Sequence, residues 1–283
     1  MRFSLIIPTL NRPEGVRAFL GVIAQQSVRD VEVIVVDQSG SDIYDAVIRD
    51  FSSSLTLKHI RTDVRKCRYA CNLGAAAASG EIIAFPDDDC LYRPDTLEQV
   101  DARFRNDARL GLLTGPIRDI DGRSSNMGRW LTADTPLNER NIWIGLIEFN
   151  MFIRRTAFEQ VGGFDLNMGP GCRFVAAEGQ DLGLRLLHSG VEGYFDSRLL
   201  VMHPDKSTDL DLKRAKSYGC GMGYALRKNH APVTLVLTFL IRPAGGALLN
   251  LLKGHRALVL YFCAVLLGRL DGYCSREARQ VCK

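Results

Sequence analysis

The eight cysteines include no CxxC pair. That removes the usual spacing of a structural zinc site or a redox dithiol. The nearest two, Cys67 and Cys71, stand at helical i, i+4 separation. No uninterrupted apolar run reaches the roughly 18 to 20 residues that span a bilayer. No internal repeat or low-complexity tract appears, which argues against a solenoid or a disordered linker. The opening "MRFSLIIPTL" reads as a strand rather than a leader, so reduced thiols in a cytosolic protein are expected. Acidic residues are scarce at one end only. From Leu212 onward there are 12 Lys+Arg and 2 Asp+Glu, against 24 and 30 before it. An acidic body of net −6 thus precedes a basic tail of net +10, and the two are expected to meet different partners. The 283 residues, 46% hydrophobic and 24% charged, suffice for one large domain with an extension.

The first half alternates short apolar runs with helical patterns. "FSLIIPT", "EVIVVDQS", "LTLKHIR", "EIIAFPDD" and "LGLLTGPI" read as strands. Residues 13–26, "RYACNLGAAAASG" with Gly80 as its cap, and the stretch opened by Pro94 read as helices. Three of the strands are continuously apolar rather than alternating, the pattern of parallel strands buried on both faces. The fold class is therefore α/β: an open, mostly parallel sheet with flanking helices and right-handed crossovers. Positions 119–145 break the rhythm and read as an insertion or lid. "EFNMFIRRTAFEQVGGFD" restores a strand and a helix, "LNMGPGCRFVAAEGQ" reads as a mobile loop, and "EGQDLGLRLLHSG" as an amphipathic helix capped by Gly190.

Open α/β sheets bind ligands beyond the carboxyl ends of their strands. Polar residues gather there: Thr9 and Asn11 after the first strand, Asp37 after the second, Asp87 to Asp89 after the fourth. Asp87 and Asp89 form a D-x-D pattern. Mg²⁺ or Mn²⁺ is held by one or two carboxylates together with substrate phosphates, which explains crowding such charges. The plainer reading is an acidic turn. Asp37 could accept a hydrogen bond from a base or a ribose, or be an ordinary turn aspartate.

Four segments, "SLIIPTLNRP", "VIVVDQSGSD", "ACNLGAAAASGEIIAFPDDDC" and "EGQDLGLRLLHSG", together resemble the family 2 glycosyltransferases, inverting enzymes of the GT-A fold, over residues 2–205. The resemblance implies a nucleotide-diphosphate sugar donor, a divalent cation (Mg²⁺ or Mn²⁺) and a single displacement assisted by a carboxylate base. By position it implies Pro8, Thr9 and Asn11 lining the nucleotide pocket, and Asp37 on the base or ribose. Asp87 and Asp89 would face the metal, with Asp88 beside the ribose and diphosphate. Asn72 stands where the family has A-R-N, but this chain reads Ala70-Cys71-Asn72, so Arg68 or Arg65 would have to supply the cation. The family's Glu-Asp pair is Glu178-Gly179 here. Two carboxylates remain, Glu178 and Asp181, on one helix face at i, i+3, and either could be the base. His203 is either a further metal ligand or a partly exposed histidine before a turn. Two other classes stay open at this point. A nucleotidyltransferase is disfavoured because "PTLNRPEG" lacks a glycine run; a non-catalytic nucleotide-sugar-binding protein is kept open by Gly179.

The chain is thus expected to hold a catalytic domain at 1–208 and a basic, apolar helical tail at 209–283. "VTLVLTFLI" and "ALVLYFCAVLL" with Arg242, Lys253, Arg256 and Arg269 read as helices lying on an anionic membrane surface. The alternative is a helical pair that covers a core or an oligomer interface. Expected partners are the nucleotide sugar, a saccharide or glycolipid acceptor and the inner membrane surface, with no nucleic acid. The expected location is cytoplasmic, peripheral on the cytoplasmic membrane face.

Overall fold

A computed structural model describes residues 1–123, 125–205 and 209–281. It divides the chain into two units, residues 1–164 with 182–206, and residues 165–181 with 207–283.

The first unit is built on β1 (Phe3–Thr9), β2 (Val31–Asp37), β3 (Thr56–Arg61) and β4 (Ile82–Ala84). All seven residues of β1 and of β2 are buried, as their unbroken apolar runs require. Alternate residues serve opposite faces. Leu5, Ile7, Val33 and Val35 join one core, and Ile6, Ile34 and Val36 the other. Helices α1 (Pro13–Ile23) and α2 (Asp45–Phe51) pack on the first core. The second takes α3 (Cys67–Ala76) through Ala70, Cys71 and Ala75.

The chain then adds β5 (Leu91–Tyr92), α4 (Thr96–Asn106), β6 (Leu110–Thr114), β7 (Ile117–Arg118), β8 (Thr135–Pro136), β9 (Phe152–Arg154), α5 (Arg155–Gln160), α6 (Glu178–His188), β10 (Glu192–Phe195) and β11 (Val201–Met202). The large sheet runs β3-β2-β1-β4-β9-β6-β10-β8. Pairing is parallel among β1 to β4 and between β6 and β10; β9 and β8 are antiparallel to their neighbours. A second sheet, β5-β11-β7, is made of two-residue strands.

Some boundaries differ from the sequence expectation. Helix α3 stops at Ala76, four residues before Gly80. Gly80 is instead a close-approach residue: its N–H donates to Ser4 Oγ at 2.8 Å, and a Cβ there would sit 2.6 Å from the β1 backbone. The described residues of 119–145 contribute β8 at the sheet edge and a 3₁₀ turn, Ile142–Ile144. Gly190 does end α6 with a positive φ of 86°.

The second unit contains α7 (Leu212–Lys228), α8 (Val233–Leu252), α9 (Arg256–Cys274) and α10 (Arg276–Val281). Helices α8 and α9 outrun the apolar stretches that nucleate them. At 20 and 19 residues they are long and apolar enough to cross a membrane by length and composition, which corrects the expectation from run length. Pro243 lies inside α8 without ending it, because packing of α8 on α9 outweighs local propensity. Gly219 and Gly223 of α7 meet Gly268 and Gly272 of α9 so closely that a Cβ on Gly272 would lie 1.9 Å from the Cys220 carbonyl oxygen. These are paired G-x-x-x-G faces, the spacing that lets two helix backbones touch.

Candidate active site

The carboxyl ends of β1, β2 and β4 lie side by side, since Thr9 pairs with Asp37 and Phe3 with Ile82. Asp87 to Asp89 follow β4 in a turn closed by Cys90 N–H on the Asp87 carbonyl. The small sheet brings in the histidine. Met202 of β11 is in register with Leu91 of β5, so the next residue, His203, falls beside the aspartates. His203 Nε2 lies 3.2 Å from Asp89 Oδ1 and 3.9 Å from Asp87 Oδ2. The ring stacks on Phe149 at 4.6 Å between centroids, and its Nδ1 is 2.7 Å from the Pro204 carbonyl, the position of an N–H donor.

The repulsion among three carboxylates is offset by named partners. Arg12 reaches across with a forked contact, 2.6 Å to Asp88 and 2.8 Å to Asp89. Thr9 Oγ1 donates to Asp88 at 2.7 Å and meets the Tyr44 hydroxyl at 2.8 Å. That hydroxyl also accepts the Arg12 N–H at 2.9 Å. Gly15 lets α1 approach, since a Cβ there would stand 2.5 Å from the Asp88 carbonyl oxygen. Burial, then the Glu148 charge, push Asp87 up to about 6. Burial also raises Asp88. Burial alone would raise Asp89 too, but contacts with His203 and Arg12 hold it below the usual carboxylate range. Burial opposes charging His203, yet Asp89 and Asp87 raise its pKa above the ordinary value.

A divalent cation fits this cluster. One ligand atom each from Asp87, Asp89 and His203 lie within 4.8 Å of one another. Asp89 Oδ1 is buried with the His203 nitrogen 3.2 Å away. A buried carboxylate oxygen so sparsely partnered is costly, and a cation shared with that nitrogen would satisfy it. Carboxylate oxygens suit Mg²⁺ and Mn²⁺.

Around this cluster, Asp37 is buried, accepts the Ser39 N–H at 2.8 Å and lies 3.4 Å from His59. Pro8 and Thr9 are buried at the end of β1, and Asn11 is exposed with a φ of 55°. Arg68 is buried, 3.6 Å from Glu148 and stacked over Phe164. Asn72 is otherwise engaged. Its amide donates to the Phe164 carbonyl and accepts the Phe164 N–H, both at 2.9 Å. Arg185 donates to the Val161 and Gly163 carbonyls, which fixes the same glycine turn.

In the second unit, Glu178 and Asp181 are both buried in the first turn of α6. The two acids differ. Asp181 is fully buried and held 2.9 Å from Lys228 Nζ and 2.9 Å from Asn229 Nδ2. Ala177, directly before Glu178, has a φ of 67°, a left-handed conformation that costs a non-glycine residue about 1–3 kcal/mol. The sequence reading missed Arg12, Tyr44, Glu148 and Lys228. Arg12 had a signal, a basic residue just beyond the first strand in "PTLNRP"; Lys228 sits in a basic tail with nothing local to single it out.

The model of Glycosyl transferase family 2 matches residues 4–162. The chain belongs to that family. It is 35% identical over 170 residues to a PGL/p-HBAD biosynthesis glycosyltransferase of Mycobacterium bovis, covering 58% of this chain and 63% of that one. It is 25% identical over 224 residues to a validoxylamine A glucosyltransferase of Streptomyces hygroscopicus, covering 66% of this chain and 52% of the relative. The match thus spans between half and two thirds of these relatives' length. Two solved structures share the fold. A mannosyltransferase from Pyrobaculum calidifontis, in complex with GDP-Man and Mn²⁺, superposes with a TM-score of 0.69 at 19% identity over 97% of this chain and 88% of its own. S. aureus TarS 1–349 with UDP-GlcNAc gives 0.65 at 14% identity, over 98% and 93%.

Proposed function

We propose that this family 2 chain is an inverting, cation-assisted glycosyltransferase that moves a sugar from a nucleotide-diphosphate sugar to a hydroxyl of a lipid-linked or polysaccharide acceptor. The observation that carries the reading is the Asp87–Asp89–His203 cluster at the sheet's carboxyl rim, with a buried Asp89 oxygen 3.2 Å from the His203 nitrogen. Asp87, Asp89 and His203 would hold Mg²⁺ or Mn²⁺, which when bound neutralises the diphosphate leaving group. Thr9 and Arg12 hold Asp88 and Asp89 in place. Asp37, at the end of β2, would accept from the base or ribose, with Pro8, Thr9 and Asn11 lining the same rim. Arg68 offers the nearby cation that the altered A-R-N stretch otherwise lacks. Asn72 acts by holding Phe164 rather than by touching donor. Glu178 is the base that takes the acceptor proton, because it stands at the glutamate of the family's Glu-Asp pair, while Asp181 is bonded to Lys228 and Asn229.

We further place the basic tail on the cytoplasmic face of a membrane. Val233, Leu237, Ile241, Leu248 and Leu252 of α8 are exposed along one side, and Lys253 and Arg256 lie at the turn into α9. Sedimentation of the full chain with anionic vesicles but not neutral ones is expected; no sedimentation with either contradicts the placement.

The test of the enzymatic reading is release of nucleoside diphosphate from a panel of UDP-, GDP- and dTDP-sugars in Mn²⁺. One donor should be hydrolysed slowly, and Asp89→Ala should abolish that. Release unaffected by Asp89→Ala and by chelation contradicts the assignment.

A further inference from the structure

We propose that helix α7 is a positioning element of the active site, acting through Lys228 on the segment 165–181 that carries Glu178. This rests on the assignment of Glu178 as base. The sequence divides the chain near position 208, which would leave α7 to an accessory tail. The structure instead groups residues 165–181 with the C-terminal helices.

The contacts are dense and specific. Lys228 is nearly buried, and its ammonium lies 2.8 Å from Asp165 and 2.9 Å from Asp181, the two ends of the segment. Tyr224, one turn earlier, donates its hydroxyl to Asp165 at 3.0 Å. Its ring stacks on Phe174 at 3.9 Å and 12°. Asn229 donates to Asp181. Between these, Gly221 brings α7 against the backbone two residues ahead of Glu178: a Cβ there would lie 2.2 Å from the Ala176 carbonyl oxygen.

The segment is held by turns rather than by helix or strand. Before α6 it has an isolated bridge, Met168 to Phe174, and short-range hydrogen bonds between 165 and 174, and then runs into the strained Ala177. A left-handed alanine persists only where its surroundings over-determine it. Here α7 supplies those surroundings from one side, by backbone contact, ring stacking and a shared ammonium. The ion pairs also bear on the chemistry. Lys228 and Asn229 fix Asp181 one turn beyond Glu178, and so set the start of α6 from which Glu178 projects. Lys228 touches no reacting atom in this account and is a positioning residue.

The experiment uses the full chain with Mn²⁺ and the nucleotide sugar that the panel identifies. A misplacement of about 1 Å can cost 10²-fold, so Lys228→Met should lower kcat on the order of 10- to 100-fold. KM for the donor should stay within about twofold, because the substitution acts on the base and not on binding. Lys228→Arg should restore most of the rate. Amide exchange in residues 174–182 should quicken in Lys228→Met, with β1 to β4 unchanged. Because Lys228→Met removes the cation that Asp165 and Asp181 share and could fail to fold, Tyr224→Phe is the second variant. It removes one hydroxyl, keeps the ring stack, and should lower kcat about threefold by the same misplacement.

Turnover and exchange both unchanged in Lys228→Met, or in Tyr224→Phe if Lys228→Met does not fold, would overturn the proposal. So would a loss of kcat matched by an equal loss of donor affinity. The underlying assignment is tested separately by Glu178→Gln. Turnover kept there but lost in Lys228→Met would overturn the base assignment, and with it the positioning of Glu178; turnover lost in Glu178→Gln but kept in Lys228→Met would overturn the positioning role alone.

Discussion

The two units are held together by opposite means. In the first, β1 and β2 bury every residue, and their alternating side chains fill two cores with aliphatic and aromatic groups. In the second, α7 and α9 approach through glycines while leucines such as Leu251, Leu252 and Leu267 stay exposed. Burial of apolar area drives the first, at roughly 1.5–3 kcal/mol for each fully buried large side chain. Close backbone contact at small residues joins the helices of the second. The difference teaches that a core filled by large apolar side chains and a helical unit joined through glycines, with its leucines exposed, can share one chain.

The sharpest way to break the contrast is Gly272→Leu. The side chain would collide with the Cys220 carbonyl and force α9 off α7, costing about 3 kcal/mol or more of the second unit's stability. Limited proteolysis should then cut between Lys228 and Arg256 before it cuts the sheet. Equal resistance in both units would mean the glycine face is not what holds the helices.

The same comparison is sharpened in the sheet by Glu32. This buried carboxylate accepts from Ser4 Oγ at 2.5 Å and Ser79 N–H at 2.6 Å, and pairs with Lys58 at 2.8 Å. Burial opposes ionisation, but Lys58, Ser4 and Ser79 prevail and lower its pKa to about 2. A depressed acid stabilises the fold above its unfolded value and loses that contribution as pH falls through the folded one. Glu32 therefore contributes fully above about pH 4.5. Its share should disappear by about pH 2. Glu32→Gln should cost roughly 2 kcal/mol at pH 7, since Lys58 is partly exposed and screens the loss. The cost should shrink in acid; a cost independent of pH, by denaturant melts at several pH values, would contradict the pairing.

The smallest expected effect is at Arg12. Its fork holds Asp88 and Asp89 together, and Lys would keep the charge while losing the two-point geometry. Arg12→Lys should weaken Mn²⁺ binding about tenfold, the lower end of what a partner of a metal ligand contributes. Tighter binding would mean Arg12 competes with the cation rather than orienting its ligands.

What the sequence made legible follows from range. "FSLIIPT" and "VEVIVVD" announce buried parallel strands because continuous apolar character is a local property. Their polar carboxyl ends, Thr9, Asp37 and Asp87 to Asp89, then fall together by topology alone. His203 could be suspected only from the family resemblance, because it reaches Asp89 through strands two residues long. The tie from Lys228 to Asp165 and Asp181 spans 63 and 47 positions, and no local pattern encodes it. Apolar run length also understated α8 and α9, where glycines and Pro243 interrupt hydropathy without interrupting the helix.

The most direct measurement is calorimetric titration of Mn²⁺ into the full chain and into Asp89→Asn, without donor. Removing a charged ligand should weaken binding by about 100-fold, at the top of the range that supporting partners alone contribute. Indistinguishable isotherms for the two proteins would contradict the rim of Asp87, Asp89 and His203 as the place where the cation is held.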